Sequence, residues 1–127
     1  MSTRQRVKAA ARRERRTASM PAARLRWLRM SPRKVRLVVD MVRGKPVGEA
    51  LDILAFSPRG AAQPVRKLLR SAVANADQRG GFDLDDLVVA RIFVDEGPTW
   101  RRWLPRAMGR ATRVRKRSSH VTVVLGV

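Results

Sequence analysis

Residues 87–125 read LVVARIFVDEGPTWRRWLPRAMGRATRVRKRSSHVTVVL, and the architecture turns on this stretch. Its two ends, LVVARIFV (87–94) and VTVVL (121–125), are β-branched and almost uncharged, the composition of buried strands. Pro105 and Gly109 mark a turn between them. With that turn near Ala107, position 94 stands opposite 120 and position 88 opposite 126. The apolar ends therefore pair at the base of one long antiparallel hairpin. Residues 95–120 remain as an arm, and at ~3.3 Å per residue it projects on the order of 40 Å.

The arm has no means of its own to make a core. Trp100, Trp103, Leu104, Met108 and Val114 are too few and too scattered. After Glu96 it holds no acid, against Arg101, Arg102, Arg106, Arg110, Arg113, Arg115, Lys116 and Arg117. A two-stranded ribbon is marginal in water, and this one repels itself, so an external anion is expected to order it. Solvated loops of this length without a partner are uncommon in compact domains. If no bulge intervenes, Arg113, Arg115 and Arg117 share a face with Val121, Val123 and Leu125. Such a face buries apolar groups in the body and meets phosphates farther out. Trp100 and Trp103 have two readings of equal weight: plates that stack on unpaired bases, or a mutually packed pair that stiffens the ribbon. His120, at the end of the arm, lacks partners for metal or catalytic work and is read as a strand residue near RNA.

Upstream, AARLRWLRM (22–30) alternates loosely, with Leu25 and Trp27 on the buried side and Arg24 and Arg26 on the other. Ser31-Pro32 is a helix start, followed by Val35, Val38, Val39 and Val42 at helical spacing and closed by Gly44. A shorter helix is predicted over Val47–Phe56. Ser57-Pro58 repeats the start signal before a wide stripe of Val65, Leu68, Leu69, Ala72, Val73 and Ala76, with Pro64 as a kink or as the proper beginning. Gly80-Gly81 ends it. The predicted fold is α+β: three helices packed on a three-stranded antiparallel sheet, with a long protruding β-hairpin. Residues 22–127 form that single domain, and residues 1–21 form a basic extension without order until it meets an anion. An organellar targeting segment is a second reading of the same extension.

Charge names the class of partner. The 127 residues carry 29 Lys and Arg against 10 Asp and Glu, a net +19. Residues 1–30 hold ten basic residues and one acid, residues 82–99 hold one and five, and residues 100–127 hold eight and none. Positive charge thus gathers at the two ends of the chain. Arg outnumbers Lys 24 to 5, which suits bidentate phosphate pairing, although genomic base composition shifts the ratio the same way. Nucleic acid is the default polyanion and an anionic membrane surface its rival. No apolar run approaches the roughly 20 residues of a membrane span. With no Cys and only His120, thiolate chemistry is excluded and a His-based metal site is disfavoured. No cofactor and no small-molecule substrate are expected.

Within SPRK (31–34), Arg33 and Lys34 sit in a first helical turn, where the dipole disfavours cations by ~0.3–1 kcal/mol. A phosphate bound there reverses that penalty. Arg36 lies one turn beyond Arg33, so Ser31, Arg33, Lys34 and Arg36 form a candidate phosphate seat, joined by Arg24 and Arg26 of the preceding strand. Ser57-Pro58-Arg59 repeats the pattern but reads as an ordinary cap. The carboxylates Asp83, Asp85, Asp86, Asp95 and Glu96 raise the possibility of a magnesium nuclease, but three of them lie in a Gly-flanked loop where Asp serves turns. A DNA-bending β-ribbon protein is the other rival to an RNA binder.

Several blocks then occur in a fixed order: SPRKVRLVVDMVRGK (31–45), EALDIL (49–54), AVANA (72–76), FVDEGP (93–98), PRAMGRA (105–111) and KRSSHVTVVL (116–125). In these the chain resembles the bacterial-type large-subunit ribosomal protein twenty-two family over residues 22–127. The resemblance implies a structural protein, not an enzyme, that binds large-subunit ribosomal RNA and supports early subunit assembly. It implies a cytoplasmic ribosomal location, with the body on the subunit surface near the peptide tunnel's exit. It further implies that the hairpin lines the tunnel close to large-subunit protein four, where the nascent polypeptide passes. Trp100, Trp103, Leu104, Pro105, Arg106, Ala107, Met108, Gly109 and Arg110 fall in the implied tunnel-lining tip. Arg101, Arg102, Arg113, Arg115, Lys116, Arg117, Ser118, Ser119 and His120 fall in the implied RNA-binding flanks. The basic residues before position 22, and the bulk of Trp100, Trp103 and Met108, depart from the family pattern.

Overall fold

The computed structural model describes residues 3–17 and 20–127, with side chains described for 3–11 and 20–127. In chain order the elements are α1 (Thr3–Thr17), β1 (Ala22–Leu28), α2 (Pro32–Val42), α3 (Val47–Phe56) and α4 (Ala62–Arg79). They are followed by β2 (Val88–Glu96), β3 (Trp100–Pro105), β4 (Ala111–Lys116) and β5 (Ser119–Gly126). The body is a three-stranded antiparallel sheet in the order β1-β5-β2, and β3 and β4 form a separate two-stranded ribbon. With α2, α3 and α4 on the sheet, this is the α+β arrangement that the sequence predicts. The additional helix is α1, in the segment expected to stay without order until an anion arrives. Its Ala9-Ala10-Ala11 run and its arginines are strong helix formers, and its side chains from Thr3 to Ala11 are exposed. Of the extension, Met1, Ser2, Ala18 and Ser19 lie outside the described residues.

The core follows the apolar periodicity. On α2 the four valines Val35, Val38, Val39 and Val42 are all fully buried, and Gly44, at φ +75°, turns the chain out of the helix. They meet Val65, Leu69, Ala72 and Ala76 of α4 and Val89, Ile92, Val121, Val123 and Leu125 of the sheet in one cluster. The second start signal is displaced from its predicted place. Ser57 ends α3, its N–H donating to the Ile53 carbonyl at 3.0 Å. The next helix begins only at Ala62, so Pro64 falls in a first turn that asks no hydrogen bond of it.

Two irregularities set the hairpin. Val88 pairs with Gly126 as expected, but the register shifts between Val89 and Arg91, so Val94 faces Val121 rather than His120. In the ribbon Trp100 pairs with Lys116 and Pro105 with Ala111, which centres the turn on Met108, one residue beyond Ala107. Met108 and Gly109 take the left-handed conformation there, at φ +62° and +66°. Between Glu96↔Ser119 and Trp100↔Lys116 three residues stand against two. The ladder breaks at Arg117–Ser118, so the uninterrupted face drawn from Arg113 to Leu125 does not form. A bulge, which no periodicity records, is the reason.

The outer edge of β2 is covered. Gly44 N–H donates to the Val89 carbonyl, Val89 N–H to the Lys45 carbonyl and Val47 N–H to the Leu87 carbonyl, each at 3.0 Å. Farther along, Arg43 Nη2 donates to the Ile92 carbonyl at 3.0 Å and Arg36 Nη2 to the Val94 carbonyl at 3.1 Å. Unpaired strand edges template unwanted pairing, and this one presents guanidinium groups instead.

Candidate nucleic-acid interface

The ribbon springs from a tight root. Gly97 N–H donates to the Ser118 carbonyl at 2.9 Å, and Ser118 Oγ donates to the Pro98 carbonyl at 2.5 Å. A Cβ on Gly97 would lie 2.6 Å from Ser118 Oγ, so any larger residue must displace that hydroxyl. Ser118 and Ser119, read from sequence as facing nucleic acid, are 3% and 0% exposed. Both hydroxyls are inside the fold and cannot reach a surface ligand: that of Ser118 holds the root, and that of Ser119 is buried without a hydrogen-bond partner. His120 is half-buried, and its Nδ1 accepts the Trp27 N–H at 3.0 Å. That bond fixes Trp27 at φ +55°, beside a bulge in β1 between Leu25 and Leu28. The bulge turns Trp27 outward, 59% exposed, against the expected inward parity. Its indole stands edge-on to His120, with centroids 6.3 Å apart, and Arg26 lies 4.7 Å over its face.

Beside this root lies a basin of about 550 Å³ lined by Arg29, Met30, Ser31, Lys34, Arg115, Lys116 and Arg117. Residues more than eighty positions apart meet here: the entry to α2 from one side, the last turn of the ribbon from the other. No acid lines it. A second hollow of about 390 Å³ continues over Ser31, Pro32, Arg33 and Arg36, with Arg117 shared and Glu96 its one carboxylate. Glu96 Oε1 stands 3.9 Å from Arg117 Nη1, too loose to neutralise it. Ser31 makes no side-chain cap to α2, so its hydroxyl is not committed to the helix. The helix N-terminus adds its partial positive charge to the cations. The arrangement is suited to phosphate oxygens held from several directions.

Of the predicted site residues, Ser31, Lys34, Arg115, Lys116 and Arg117 converge on the basin, and Arg33 and Arg36 on its continuation. Arg36 is part-committed to the Val94 carbonyl, and Arg24 Nε donates to Thr122 Oγ1 at 3.3 Å on the sheet. Arg24 and Arg26 lie outside both hollows. Arg29 is the residue that sequence reasoning missed. It reaches Trp100, 5.5 Å from the ring centroid, and thereby ties the end of β1 to the ribbon.

Along the ribbon the register assigns faces. Trp100, Arg102 and Leu104 share one with Thr112, Val114 and Lys116, while Arg101, Trp103 and Pro105 share the other with Ala111, Arg113 and Arg115. The tryptophans are therefore on opposite faces, which removes the mutual packing reading. Each stacks instead with an arginine: Arg29 over Trp100, and Arg113, directly across the ladder, 5.2 Å over Trp103. They stay 60% and 63% exposed. Arg101 stands directly opposite Arg115, a like-charge pair that opposes the ribbon. Around the tip, Arg106 N–H donates to the Arg110 carbonyl at 2.7 Å, and Met108 projects into solvent.

Residues 23–126 match the family model for ribosomal protein L22p/L17e. The chain belongs to that family. It is 62% identical over 103 residues to the large ribosomal subunit protein uL22 of Syntrophotalea carbinolica, covering 81% of this chain and 94% of the relative. It is 61% identical over 104 residues to uL22 of Geobacter sulfurreducens, covering 82% and 94%. With uL22 of Desulfitobacterium hafniense the identity is 60% over 100 residues, covering 79% and 88%. An L22p/L17e protein is a structural ribosomal protein and not an enzyme. The carboxylates agree with that: Asp83 Oδ1 accepts the Asp85 N–H at 3.1 Å and caps a short 3-10 turn. Every strand and α2–α4 fall within the L22p/L17e match, allowing a residue at the start of β1, whereas α1 falls outside it. Among the described residues no helix is long and apolar enough to cross a membrane.

Proposed function

We propose that the chain binds large-subunit ribosomal RNA as a cytoplasmic ribosome component, supports subunit assembly, and lines the nascent-peptide tunnel with its ribbon. The convergence of Arg29, Lys34, Arg115, Lys116 and Arg117 on one acid-free basin carries this reading. Those groups repel each other unless phosphates lie among them. RNA docked in the basin releases counterions and removes the like-charge strain of Arg101 against Arg115. Arg102 and Arg113 follow the backbone along the two faces, with the exposed rings of Trp100 and Trp103 available to bases. The tip from Leu104 to Arg110 then faces the nascent polypeptide, near large-subunit protein four. The basic extension with α1 adds a further electrostatic contact outside the family fold.

A tagged chain sedimented through a sucrose gradient tests the reading. Co-migration with large subunits that persists at high salt is expected, and a free pool at the top would refute it. Hydrogen exchange tests the ribbon separately. Residues 100–116 of the ribbon should exchange rapidly in the RNA-free protein and be protected in the subunit; full protection without RNA would refute ordering by RNA.

A further inference from the structure

Between α4 and the edge strand β1 lies a slot of about 470 Å³ that shares no residue with the basin. Leu25, Pro64 and Leu68 supply its apolar lining, and Gln63, Lys67 and Ser71 stand along it at four-residue spacing, one row on the helix. Arg24 lines it from the edge strand, its Nε donating to Thr122 Oγ1 at 3.3 Å. Gln63, Lys67 and Ser71 are exposed, whereas Leu68 is buried and Leu25 and Pro64 half-buried. No acid lines the slot.

We propose that this slot receives one unpaired nucleotide of the bound RNA. The inference rests on the RNA reading above but names a separate contact. The volume falls within the usual range of a small-ligand site. A base laid against Leu25, Pro64 and Leu68 loses apolar surface to them, with its hydrogen-bonding edge toward Gln63 and Ser71. Its phosphate meets Arg24 and Lys67. A neutral apolar ligand leaves both cations without a counter-charge, and a stacked duplex exposes no base face to enter. An extruded nucleotide satisfies the apolar walls, the two amphiprotic side chains and the two cations together.

The test compares large subunits carrying the parent chain, Ser71→Trp, which fills the mouth, or Lys67→Gln, which removes a phosphate partner. Base-reactive chemical probing of their ribosomal RNA should reveal a single unpaired base, shielded with the parent chain. Its reactivity should rise roughly ten-fold with Ser71→Trp and less with Lys67→Gln, as expected for losing one base contact. Ultraviolet crosslinking of parent subunits should join that RNA segment to the peptide spanning residues 63–71. Unchanged reactivity in subunits that contain either variant overturns the proposal while leaving the RNA reading intact. So does a crosslink from 63–71 to a protein instead of RNA. Should Ser71→Trp fail to enter subunits, Lys67→Gln and the parent crosslink decide alone.

Discussion

Replacing Gly97 by alanine puts a methyl group where the ribbon leaves the body. Its carbon would stand 2.6 Å from Ser118 Oγ and 3.2 Å from the nearest ring carbon of His120. The backbone there is not left-handed, so the cost is steric and falls on the neighbours. Ser118 has little room to turn, since it is buried and its hydroxyl holds the Pro98 carbonyl. Moving it forfeits that bond, about 0.5–1.5 kcal/mol, and forcing a methyl into a filled site costs about 1–3 kcal/mol more. A loss of about 2–4 kcal/mol is expected. At roughly 4–8 °C per kcal/mol for a body of this size, the melting midpoint should fall by about 10 °C or more. Denaturant unfolding followed by circular dichroism measures it, with an unchanged dependence on denaturant marking a stability effect alone. Adding Ser118→Ala removes the offending oxygen. The double variant should therefore be more stable than Gly97→Ala. A Gly97→Ala variant within about 0.5 kcal/mol of the parent, or no recovery with the second substitution, would rule out a steric clash at the root.

Leu125→Ala, at a fully buried position on the central strand, should lower unfolding free energy by about 2–5 kcal/mol in the same assay. Arg115→Glu places opposite charges across from Arg101; the free ribbon should exchange its amides more slowly, while affinity for ribosomal RNA drops and its salt dependence flattens by about two ions' worth. Lys34→Ala should reduce the slope of log affinity against log salt by about one, with little change in thermal stability. Arg43→Met should do the reverse: it bares the Ile92 carbonyl and lowers stability by about 0.5–1.5 kcal/mol, with RNA affinity nearly unchanged.

The body was legible because its signals are periodic. The valines of α2 and the apolar row of α4 repeat at helical spacing, and Ser31-Pro32 and Gly44 bracket a helix by backbone chemistry alone. The hairpin was legible as two apolar ends around a cationic middle. What stayed hidden depends on single residues inserted between periods. The shift after Val89 moves every later pairing by one, and the bulge beside Trp27 reverses that ring's direction. Ser57 could not be told from a helix start, because a serine that closes one helix and a serine that opens the next look alike before proline. Most of the basin's cations were named from local motifs. That SPRK and RKR would meet could not be read, since no sequence distance connects them; Arg29 was missed because nothing next to it suggests its reach to Trp100. The inward turn of Ser118 depends on packing against Gly97, which polarity alone does not reveal.

From Pro98 to Arg117 scarcely any side chain enters the hydrophobic interior, and the root is clasped by backbone bonds around Gly97 and Ser118. Thermal endurance and tip chemistry are therefore separable properties of this molecule. Substitutions at Trp103, Arg106 or Met108 can reshape whatever the tip meets without disturbing how firmly the scaffold is built. In that sense the protein resembles a tool with an interchangeable head, and the joint, not the head, is where a change of one methyl group is felt throughout.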